Sequence, residues 1–308
     1  MPHKIIIAGG SGFIGNGIIR DLIQKNHEIV VLTRNPDRAR ETLPKGVNCA
    51  KWDAMTGNDW FKQIKDTEVI INLTGENVGS SYWTEKKKQR ILESRINSVQ
   101  AIADALDRSG KKMKLIIQIS GISFYGNRGD EILTEAASSG EGFLADVTVK
   151  WEKFAKKLKP FTSRLVIFRT SPVLGREGGL AARVVLPFRL FLGGYPGDGK
   201  QWISWIHLED VAGCINFVLS QENVSAVYNL TSPNPTPAKE FFGSICKALH
   251  RPCWMHIPAT PLKFFLRDMA NDVFLPDQRA VPEHLINDGF RFKYPELPDA
   301  LHQIFSDE

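Results

Sequence analysis

The 308-residue sequence predicts an α/β protein in which a doubly wound parallel sheet is followed by a smaller C-terminal domain. Three observations predict this class. Short β-branched runs alternate with helical stretches through the first 170 residues, as in parallel sheets that are covered on both faces. The first of these runs ends in a glycine-rich turn that leads into a helix. After Arg169 the alternation stops, and glycine- and proline-rich stretches separate shorter elements.

The glycine-rich turn, GGSGFIG at 9–15, joins the first predicted strand, Lys4–Ala8, to a helix. Gly9 permits a tight turn, Gly12 lets the backbone approach a pyrophosphate at the positive helix end, and Gly15 lets the helix lie close on the strand. A dinucleotide-binding site needs a strand, a glycine turn and a helix in this order. We therefore predict a Rossmann-type nucleotide site rather than a merely structural turn, although the spacing G-x-x-G-x-x-G differs from the G-x-G-x-x-G of classical dehydrogenases.

The residue after the second predicted strand, Glu28–Thr33, bears on the choice of cofactor. An acidic residue here would bind the ribose 2′-hydroxyl of NAD, whereas an arginine can hold the 2′-phosphate of NADP. Arg34 occupies the position, and Arg38 lies one turn further on. The sequence therefore favours NADP(H), the alternative being a solvated arginine after a strand. A third strand, 47–52, leads to Asp53, whose side chain could reach the adenine.

Polar turns follow the next two predicted strands. The fourth strand, Glu68–Leu73, leads into Thr74-Gly75-Glu76-Asn77, and the fifth, Lys114–Ile119, leads into Ser120 to Gly126. Ligands gather at the carboxyl ends of the strands in such sheets, so both turns are expected to line the site. Apolar residues at helical spacing predict a long helix at 84–109, and this half is completed by a loop at 127–142, a helix at 143–158 and a sixth strand at 163–169.

The change of pattern after Arg169 divides the chain. We assign residues 1–170 to the NADP-binding domain, with a later contribution from about 202–230. Residues 171–201 and 231–308 are assigned to a small substrate or lid domain. The elements predicted here are a helix at 184–192, a strand at 202–207, a helix at 208–219, a strand at 227–230 and short helices at about 238–249, 260–270, 282–288 and 296–305.

Charge and composition exclude several classes of partner. The formal charge of +5 is small and dispersed, so no nucleic-acid partner is expected. The densest basic cluster, Lys86–Lys88, is interpreted as a solvated helix face. No apolar run is long enough to span a bilayer and no signal peptide is visible, so we expect a cytoplasmic protein without a membrane partner. The four cysteines have neither metal-ligand nor disulfide-framework spacing and are interpreted as reduced; no metal is expected.

Eight stretches spread over nearly the whole chain resemble one known family: GGSGFIG at 9–15, NLTGENV at 72–78, WTEKKKQRILESRINS at 83–98, FLADVTVKWE at 143–152, RTSPVLG at 169–175, LPFRLFLGG at 186–194, WISWIHLEDVAG at 202–213 and YNLTSPNP at 228–235. The chain resembles the extended short-chain dehydrogenase/reductases of the NAD-dependent epimerase/dehydratase superfamily. More narrowly, it is similar to their atypical subgroup of "epimerase family proteins", which are also labelled nucleoside-diphosphate-sugar epimerases.

The resemblance implies an NADP-binding Rossmann domain and a small C-terminal substrate domain, which includes a terminal segment of unknown role. It also implies a role for individual residues. The pyrophosphate would be held by Gly9, Ser11, Gly12, Phe13 and Ile14, the 2′-phosphate by Arg34, and the adenosine side by Leu73, Thr74 and Gly75, with Ser120 at the mouth of the fifth strand.

The sequence departs from the superfamily at the catalytic pair. The superfamily uses Tyr-x-x-x-Lys on the helix after the fifth strand, where the tyrosine is the acid/base and the lysine lowers its pKa. Alignment on Lys150-Trp151-Glu152 puts Leu144 at the tyrosine position and Thr148 at the lysine position. Leu144 cannot transfer a proton, and the atypical subgroup shares this departure. Any acid/base group must therefore come from elsewhere on the rim.

Several polar residues are candidates, each with a structural alternative. Glu76 is either a pocket carboxylate or a cap or turn residue. Ser123 and Tyr125 either donate a hydrogen bond to substrate or support the loop after the fifth strand. Arg95 falls where extended relatives carry an active-site asparagine; it either binds an anionic group of substrate or cofactor or pairs with a neighbouring acid. His207 is interpreted as a core or cap histidine.

Two classes of function remain open. The polar groups kept on the rim favour an NADP-dependent oxidoreductase or epimerase-like enzyme that acts on a small polar or sugar-nucleotide-like substrate. The loss of the Tyr/Lys pair favours a non-catalytic NADP(H) sensor or interaction protein on a reductase fold. Convergent polar groups beside the nicotinamide would support the enzyme, and closure by apolar side chains would support the sensor.

Overall fold

A parallel sheet forms the centre of the computed structural model, which describes residues 2–55, 59–222, 224 and 226–306. The strands in chain order are β1 Lys4–Ala8, β2 Glu28–Thr33, β3 Asn48–Lys51, β4 Val69–Asn72, β5 Met113–Gly121, β6 Ile132–Leu133, β7 Thr162–Thr170, β8 Val173–Gly175, β9 Gly194–Pro196, β10 Trp202–Ile203, β11 Ile206–His207, β12 Val227–Leu230, β13 Thr236–Pro237, β14 Met255–Ile257 and β15 Arg279–Ala280. The helices are α1 Phe13–Gln24, α2 Pro36–Thr42, α3 Glu85–Ser109, α4 Phe143–Ala155, α5 Gly179–Arg189, α6 Leu208–Ser220, α7 Ala238–Ala248, α8 Ala259–Leu266, α9 Glu283–Asn287 and α10 Leu297–Phe305.

The central sheet has seven strands in the order β12-β7-β5-β4-β1-β2-β3, and every neighbouring pair is parallel. The strand order reverses between β1 and β4, where the chain crosses from one half of the sheet to the other. This arrangement is the doubly wound α/β fold, so the predicted fold class is confirmed. The carboxyl ends of β1, β2 and β4 meet at one edge beside the turn after β1.

Both faces of the sheet are covered, which explains why its strands are apolar at successive positions. Ile5 and Ile7 of β1 point into a core that includes residues of α1 and α6. Ile6 and Ala8 point into the opposite core, which includes residues of α3. A strand that is buried on both sides must be apolar on both sides, as KIIIA is.

The later part of the chain builds a third core beside the sheet. It joins β8, α5, α7 and α10 through buried residues that include Leu174, Trp205, Phe241 and Leu301. Two later elements nevertheless return to the central layer: β12 pairs with β7 at the sheet edge, and α6 packs on α1.

The prediction of one continuous strand at 202–207 is wrong. The structure has two short strands here: β10 pairs antiparallel with β13, and β11 pairs parallel with β8. The break occurs at Ser204, whose hydroxyl donates to the Gln278 carbonyl at 2.8 Å and accepts from the Ala280 amide at 2.9 Å. The predicted loop at 127–142 likewise contains β6, which pairs with β15 from the far end of the chain. Such distant partners leave no local sequence signal.

A buried polar network holds the carboxyl ends of β5, β7 and β12 together. The guanidinium of Arg169 forms a two-point ion pair with Glu152 of α4, in which both N–O distances are 2.9 Å. A third nitrogen of Arg169 donates to the Tyr125 hydroxyl at 2.9 Å, and that hydroxyl donates to Asn229 at 2.7 Å. Ser120 donates to the same carboxylate at 3.0 Å. Because Arg169 and Glu152 are both buried, loss of either side chain would leave the other charge unpaired and away from water.

We expect Glu152→Gln to destabilise the protein by about 3–5 kcal/mol, because it leaves the Arg169 charge buried without a counterion. The matched control is Asp37→Asn, which breaks an exposed pair with Arg40 and should change little. Denaturant unfolding of both variants measures the difference. Equal and small losses would show that the buried pair is dispensable.

Candidate functional site

A cavity of about 510 Å³ opens at the carboxyl edge of the sheet. Its walls come from the ends of β1, β2 and β4, from the segment after β3, and from one side of α3. The cavity therefore lies where the strand order reverses, which is where ligands bind in open α/β sheets. The predicted cofactor residues that line it are Gly9, Ser11, Gly12, Arg34, Asp53, Leu73, Thr74 and Gly75.

The three glycines of the turn differ in backbone conformation and in the atoms that surround them. Gly9 has a φ of +75°, a conformation that side-chain-bearing residues rarely adopt. A Cβ on Gly15 would lie 2.3 Å from the Gly10 carbonyl oxygen, so this glycine lets α1 pack against the turn. A Cβ on Gly12 would meet nothing closer than the Gly9 oxygen at 3.8 Å. No described protein atom requires glycine at position 12, whose open side faces the cavity.

The side chains of Phe13 and Ile14 do not line the cavity. The Phe13 ring packs against the segment 175–179, where added Cβ atoms on three glycines would lie 2.6–2.9 Å from ring or Cβ atoms of Phe13. Ile14 packs against the core between the sheet and α1. Both residues lie in the first turn of α1, so only their backbone N–H groups remain for an anion.

Arg34 lies in the cavity wall directly after β2. Its side chain is exposed and forms no hydrogen bond or ion pair with another described residue. Its neighbour Asn35 caps α2 by accepting from the Arg38 amide at 3.2 Å. Across the wall, the Asp53 carboxylate accepts from the Met55 amide at 2.9 Å. Arg34 is therefore a guanidinium in the cavity wall that interacts with Glu76 through its charge alone and forms no hydrogen bond or ion pair within the described chain.

Glu76 lies in the cavity and is bound by cations. Its carboxylate accepts from the Lys87 ammonium at 2.6 Å, and Arg90 lies 3.9 Å away. The Lys87 hydrogen bond, with further help from Arg90 and Arg34, lowers the pKa of Glu76. The carboxylate consequently stays ionised at neutral pH and holds no proton to donate.

The buried position of Lys87 corrects the interpretation of Lys86–Lys88 as a solvated face. Lys87 is 2% exposed and also donates to Ser80 at 2.8 Å. The signal was in the helical spacing, since Lys87, Ile91 and Ser98 recur on one side of α3, and all three are buried. The adjacent side of α3 supplies cavity residues that the sequence reading missed, namely Arg90, Glu93, Ser94 and Asn97.

Arg95 lies beneath the cavity wall rather than in it. Its guanidinium donates to the Glu76 carbonyl at 3.2 Å and to the Ile91 carbonyl at 2.8 Å. It also lies 4.9 Å from the Trp151 ring, and burial lowers its pKa to about 10. Arg95 therefore supports the backbone of Gly75–Glu76, whose loop lines the cavity.

The two remaining acid/base candidates, Tyr125 and Ser123, and the predicted cofactor residue Ser120 occupy different environments near the end of β5. Tyr125 is fully buried in the Arg169 network, and burial raises its pKa. Ser120 is bound to Glu152 in the same network. Ser123 is partly exposed in the turn after β5, and its hydroxyl has no hydrogen bond to the described residues. Among the described residues, none from β5 or β7 lines the cavity that contains Glu76.

The position of the missing tyrosine is closed by apolar groups. Leu144 is 6% exposed and packs in a cluster with Trp83, Ile91 and Met269. The Thr148 hydroxyl donates to the carbonyls of Leu144 and Ala145 within its own helix. The C-terminal part contributes to this closure, because Asp272 accepts from the Leu144 amide at 2.9 Å.

His207, possible metal ligands and possible membrane-spanning helices were also considered in the sequence. His207 caps α6, since its Nδ1 accepts from the Glu209 amide at 3.2 Å, as interpreted from the sequence. Within the described ranges, no group of three or more His, Cys, Asp or Glu side chains could hold a metal ion. In that same part of the chain, no helix combines the length and apolar character needed to cross a membrane.

The profile of the NAD dependent epimerase/dehydratase family matches residues 5–231, which is most of the chain. The chain belongs to this family. A second profile, a domain of unknown function called DUF1731, matches residues 257–304. The family assignment made from the eight sequence stretches is therefore confirmed. The family is one whose members use a nicotinamide cofactor.

Curated relatives match over nearly their whole length. The "Epimerase family protein YfhF" of Bacillus subtilis is 35% identical over 308 residues, covering 99% of this chain and 98% of the relative. The Staphylococcus epidermidis "Epimerase family protein SERP0438" is 30% identical over 302 residues, with 98% of both chains covered.

Solved structures are similar as well. The human epimerase family protein SDR39U1 (isoform2), crystallised with NADPH, matches with a TM-score of 0.87 and 27% identity, covering 99% of this chain and all of that one. The nucleoside-diphosphate sugar epimerase of Corynebacterium glutamicum matches with a TM-score of 0.78 and 26% identity, over 100% of this chain and 59% of that one.

The Glu76–Lys87 pair makes stability depend on pH in a specific direction. The folded-state pKa of Glu76 lies below its ordinary value of about 4.3, so its contribution is present above that value and lost as pH falls through the folded-state pKa. We expect Glu76→Gln to flatten the acid side of the stability curve. Unfolding measured from neutral pH to acid tests this, with Glu141→Gln as an exposed control. An unchanged slope would contradict the pairing.

Proposed function

We propose that the protein binds NADP(H) in the cavity and acts as an epimerase- or reductase-like enzyme on a small polar or sugar-nucleotide-like substrate. The observation that carries the proposal is the Arg34 guanidinium, which lies in the cavity wall and makes no hydrogen bond or ion pair with another described residue. A 2′-phosphate would accept two hydrogen bonds from such a group. The NADPH bound to the human relative is consistent with this cofactor.

The residues present fit a dinucleotide along the whole cavity. Ser11 and Gly12, with the backbone N–H groups of Phe13 and Ile14, would hold the pyrophosphate at the N-terminus of α1. Leu73, Thr74 and Gly75 would line the adenosine side, and Asp53 lies within reach of the adenine. A pyrophosphate that approaches the backbone closely at Gly12 would explain the open side of this residue.

The nicotinamide, when bound, supplies hydride transfer. Residues of this chain must then orient the substrate and supply or take a proton. Ser123 fits this role best among the three candidates, because its hydroxyl is unpaired among described residues and follows β5 at the cofactor edge. Glu76 would act as an ionised carboxylate that keeps Lys87 and Arg90 in place, and Tyr125 would act through the buried network. Residues 171–201 and 231–308 are proposed to form the substrate lid.

A second candidate function is a non-catalytic NADP(H) sensor. The closure of the tyrosine position by Leu144, Trp83 and Met269 favours it, because that side of the site offers no proton donor. A metabolite screen that follows NADPH absorbance discriminates the two functions. Turnover of any small carbonyl or sugar-nucleotide substrate would favour the enzyme, and tight binding without turnover would favour the sensor.

Arg34→Gln should reduce the preference for NADPH over NADH, because an arginine–phosphate pair contributes about 1.5–3 kcal/mol. Gly12→Val should weaken both cofactors alike, since its side chain would project into the cavity. Fluorescence titration of the two cofactors against both variants measures the ratio and the absolute affinity. A preference that survives Arg34→Gln, or unchanged affinities in folded Gly12→Val, would refute the assigned site.

If a substrate is found, Ser123→Ala should lower kcat by roughly 10²- to 10⁴-fold, the usual contribution of a general acid/base group. Leu144→Ala should leave kcat within a few-fold and lower stability instead, because Leu144 only packs. Tyr125→Phe should mainly lower stability, since it removes one member of the Arg169 network. Full activity in Ser123→Ala would place the proton donor elsewhere.

A further inference from the structure

Exposed apolar side chains are concentrated in two segments of the chain. Of the 15 large hydrophobic residues that are exposed among the described residues, eight lie in the segments 186–192 and 254–265. Isolated exposed apolar residues are ordinary, but a concentration of this kind marks an interaction surface. We call its six most exposed members the aromatic face: Leu186, Leu190, Phe191, Trp254, Phe264 and Phe265.

Contacts join the two segments of the aromatic face. The Trp254 indole nitrogen donates to the Phe191 carbonyl at 2.8 Å, and β14 pairs with β9 directly beside them. Leu186 and Leu190 lie four residues apart at the end of α5, so they share one side. Phe264 and Phe265 lie on α8, which follows β14 after a short turn and has no buried residue.

The two stretches of sequence that contain the aromatic face carry only positive charges and are flanked by acidic residues. The stretches 178–197 and 241–267 contain no aspartate or glutamate, although acids make up about one in nine residues of the chain. They contain six cations, which exceeds the formal charge of +5 for the whole protein. The sequence around the aromatic face therefore carries all of the positive excess.

A basic cavity of about 880 Å³ adjoins the aromatic face. Its described lining includes Arg189, Lys247, His250, Arg251 and His302, and no carboxylate. Arg251 connects the two features, because it lines the cavity and its guanidinium lies 4.9 Å from the Phe191 ring. An anion in this cavity would thus lie next to exposed apolar side chains.

We propose that this face binds the surface of an anionic phospholipid membrane. Exposed aromatic and leucine side chains surrounded by lysine and arginine are the composition of interfacial membrane binding, in which apolar groups enter the headgroup boundary and cations meet lipid phosphates. The basic cavity takes a phosphate headgroup. The proposal reverses the expectation that the protein has no membrane partner, because a surface of this kind needs neither a spanning segment nor a signal peptide.

A second copy of the chain fits this face less well. A twofold contact would place the same patch against itself, so the cations of one copy would meet those of the other. An anionic bilayer instead neutralises them. Two members of the face, Phe264 and Phe265, lie in the segment that matches the domain of unknown function, and membrane attachment gives that segment a role that is independent of the cofactor.

Co-flotation with vesicles tests the proposal on the full chain. The protein should bind vesicles of equal phosphatidylcholine and phosphatidylglycerol, should not bind pure phosphatidylcholine, and should be released at high salt. Leu190→Ser combined with Trp254→Ser should reduce binding at least tenfold. The matched control is Ile286→Ser, which changes an exposed apolar residue outside the face. Arg251→Gln and Lys247→Gln should each cost about fivefold, against Lys159→Gln as the basic control.

Three outcomes would overturn the proposal. These are the absence of binding to anionic vesicles, equal binding to neutral vesicles, and a dimer in light scattering that Leu190→Ser with Trp254→Ser dissociates. The last outcome would identify a second copy as the occupant. NADPH titration of the same variants should be unchanged, which confirms that they are folded.

Discussion

The buried ion pair between Arg169 and Glu152 is the constraint on which the site edge depends. It joins β7 to α4, and through Tyr125 and Asn229 it reaches the turn after β5 and the edge strand β12. Two charges removed from water are stable only when each keeps its partner and its remaining hydrogen bonds. The network therefore holds the carboxyl ends of three strands in one arrangement.

The same network explains why two hydroxyl groups near the end of β5 are not available to a ligand. Tyr125 and Ser120 lie where a reductase would display polar groups, but their hydroxyls are committed to Asn229 and Glu152. Leu144 and Thr148 replace the usual pair, and the C-terminal part closes over them through Met269 and Asp272. The cavity beside β1, β2 and β4 is open and charged, whereas the region around Leu144 and Tyr125 is largely closed. This contrast is why an enzyme and a sensor both remain consistent with the fold.

Local signals predicted several of the residues that line the cavity. The strand, glycine turn and helix at the N-terminus, and the arginine after β2, are short-range patterns whose geometry follows from neighbours in sequence. Contacts between side chains that are distant in the sequence were predicted poorly. Lys87 was read as solvated, although its spacing with Ile91 placed it on the buried side of α3. The strand at 202–207 was predicted as continuous because Ser204 finds its partners at residues 278 and 280.

The sequence by itself determined the doubly wound sheet, the family and the position of the glycine-rich turn, because each depends on the order and periodicity of nearby residues. The tertiary structure decided which polar groups are available. It paired Glu76 with Lys87, buried Tyr125 beside Arg169, and left the Arg34 guanidinium and the Ser123 hydroxyl without a hydrogen bond to another described residue. It also gathered the aromatic face from two segments that lie about sixty residues apart. Pairing and burial depend on contacts between distant segments, and a linear sequence contains no direct record of them.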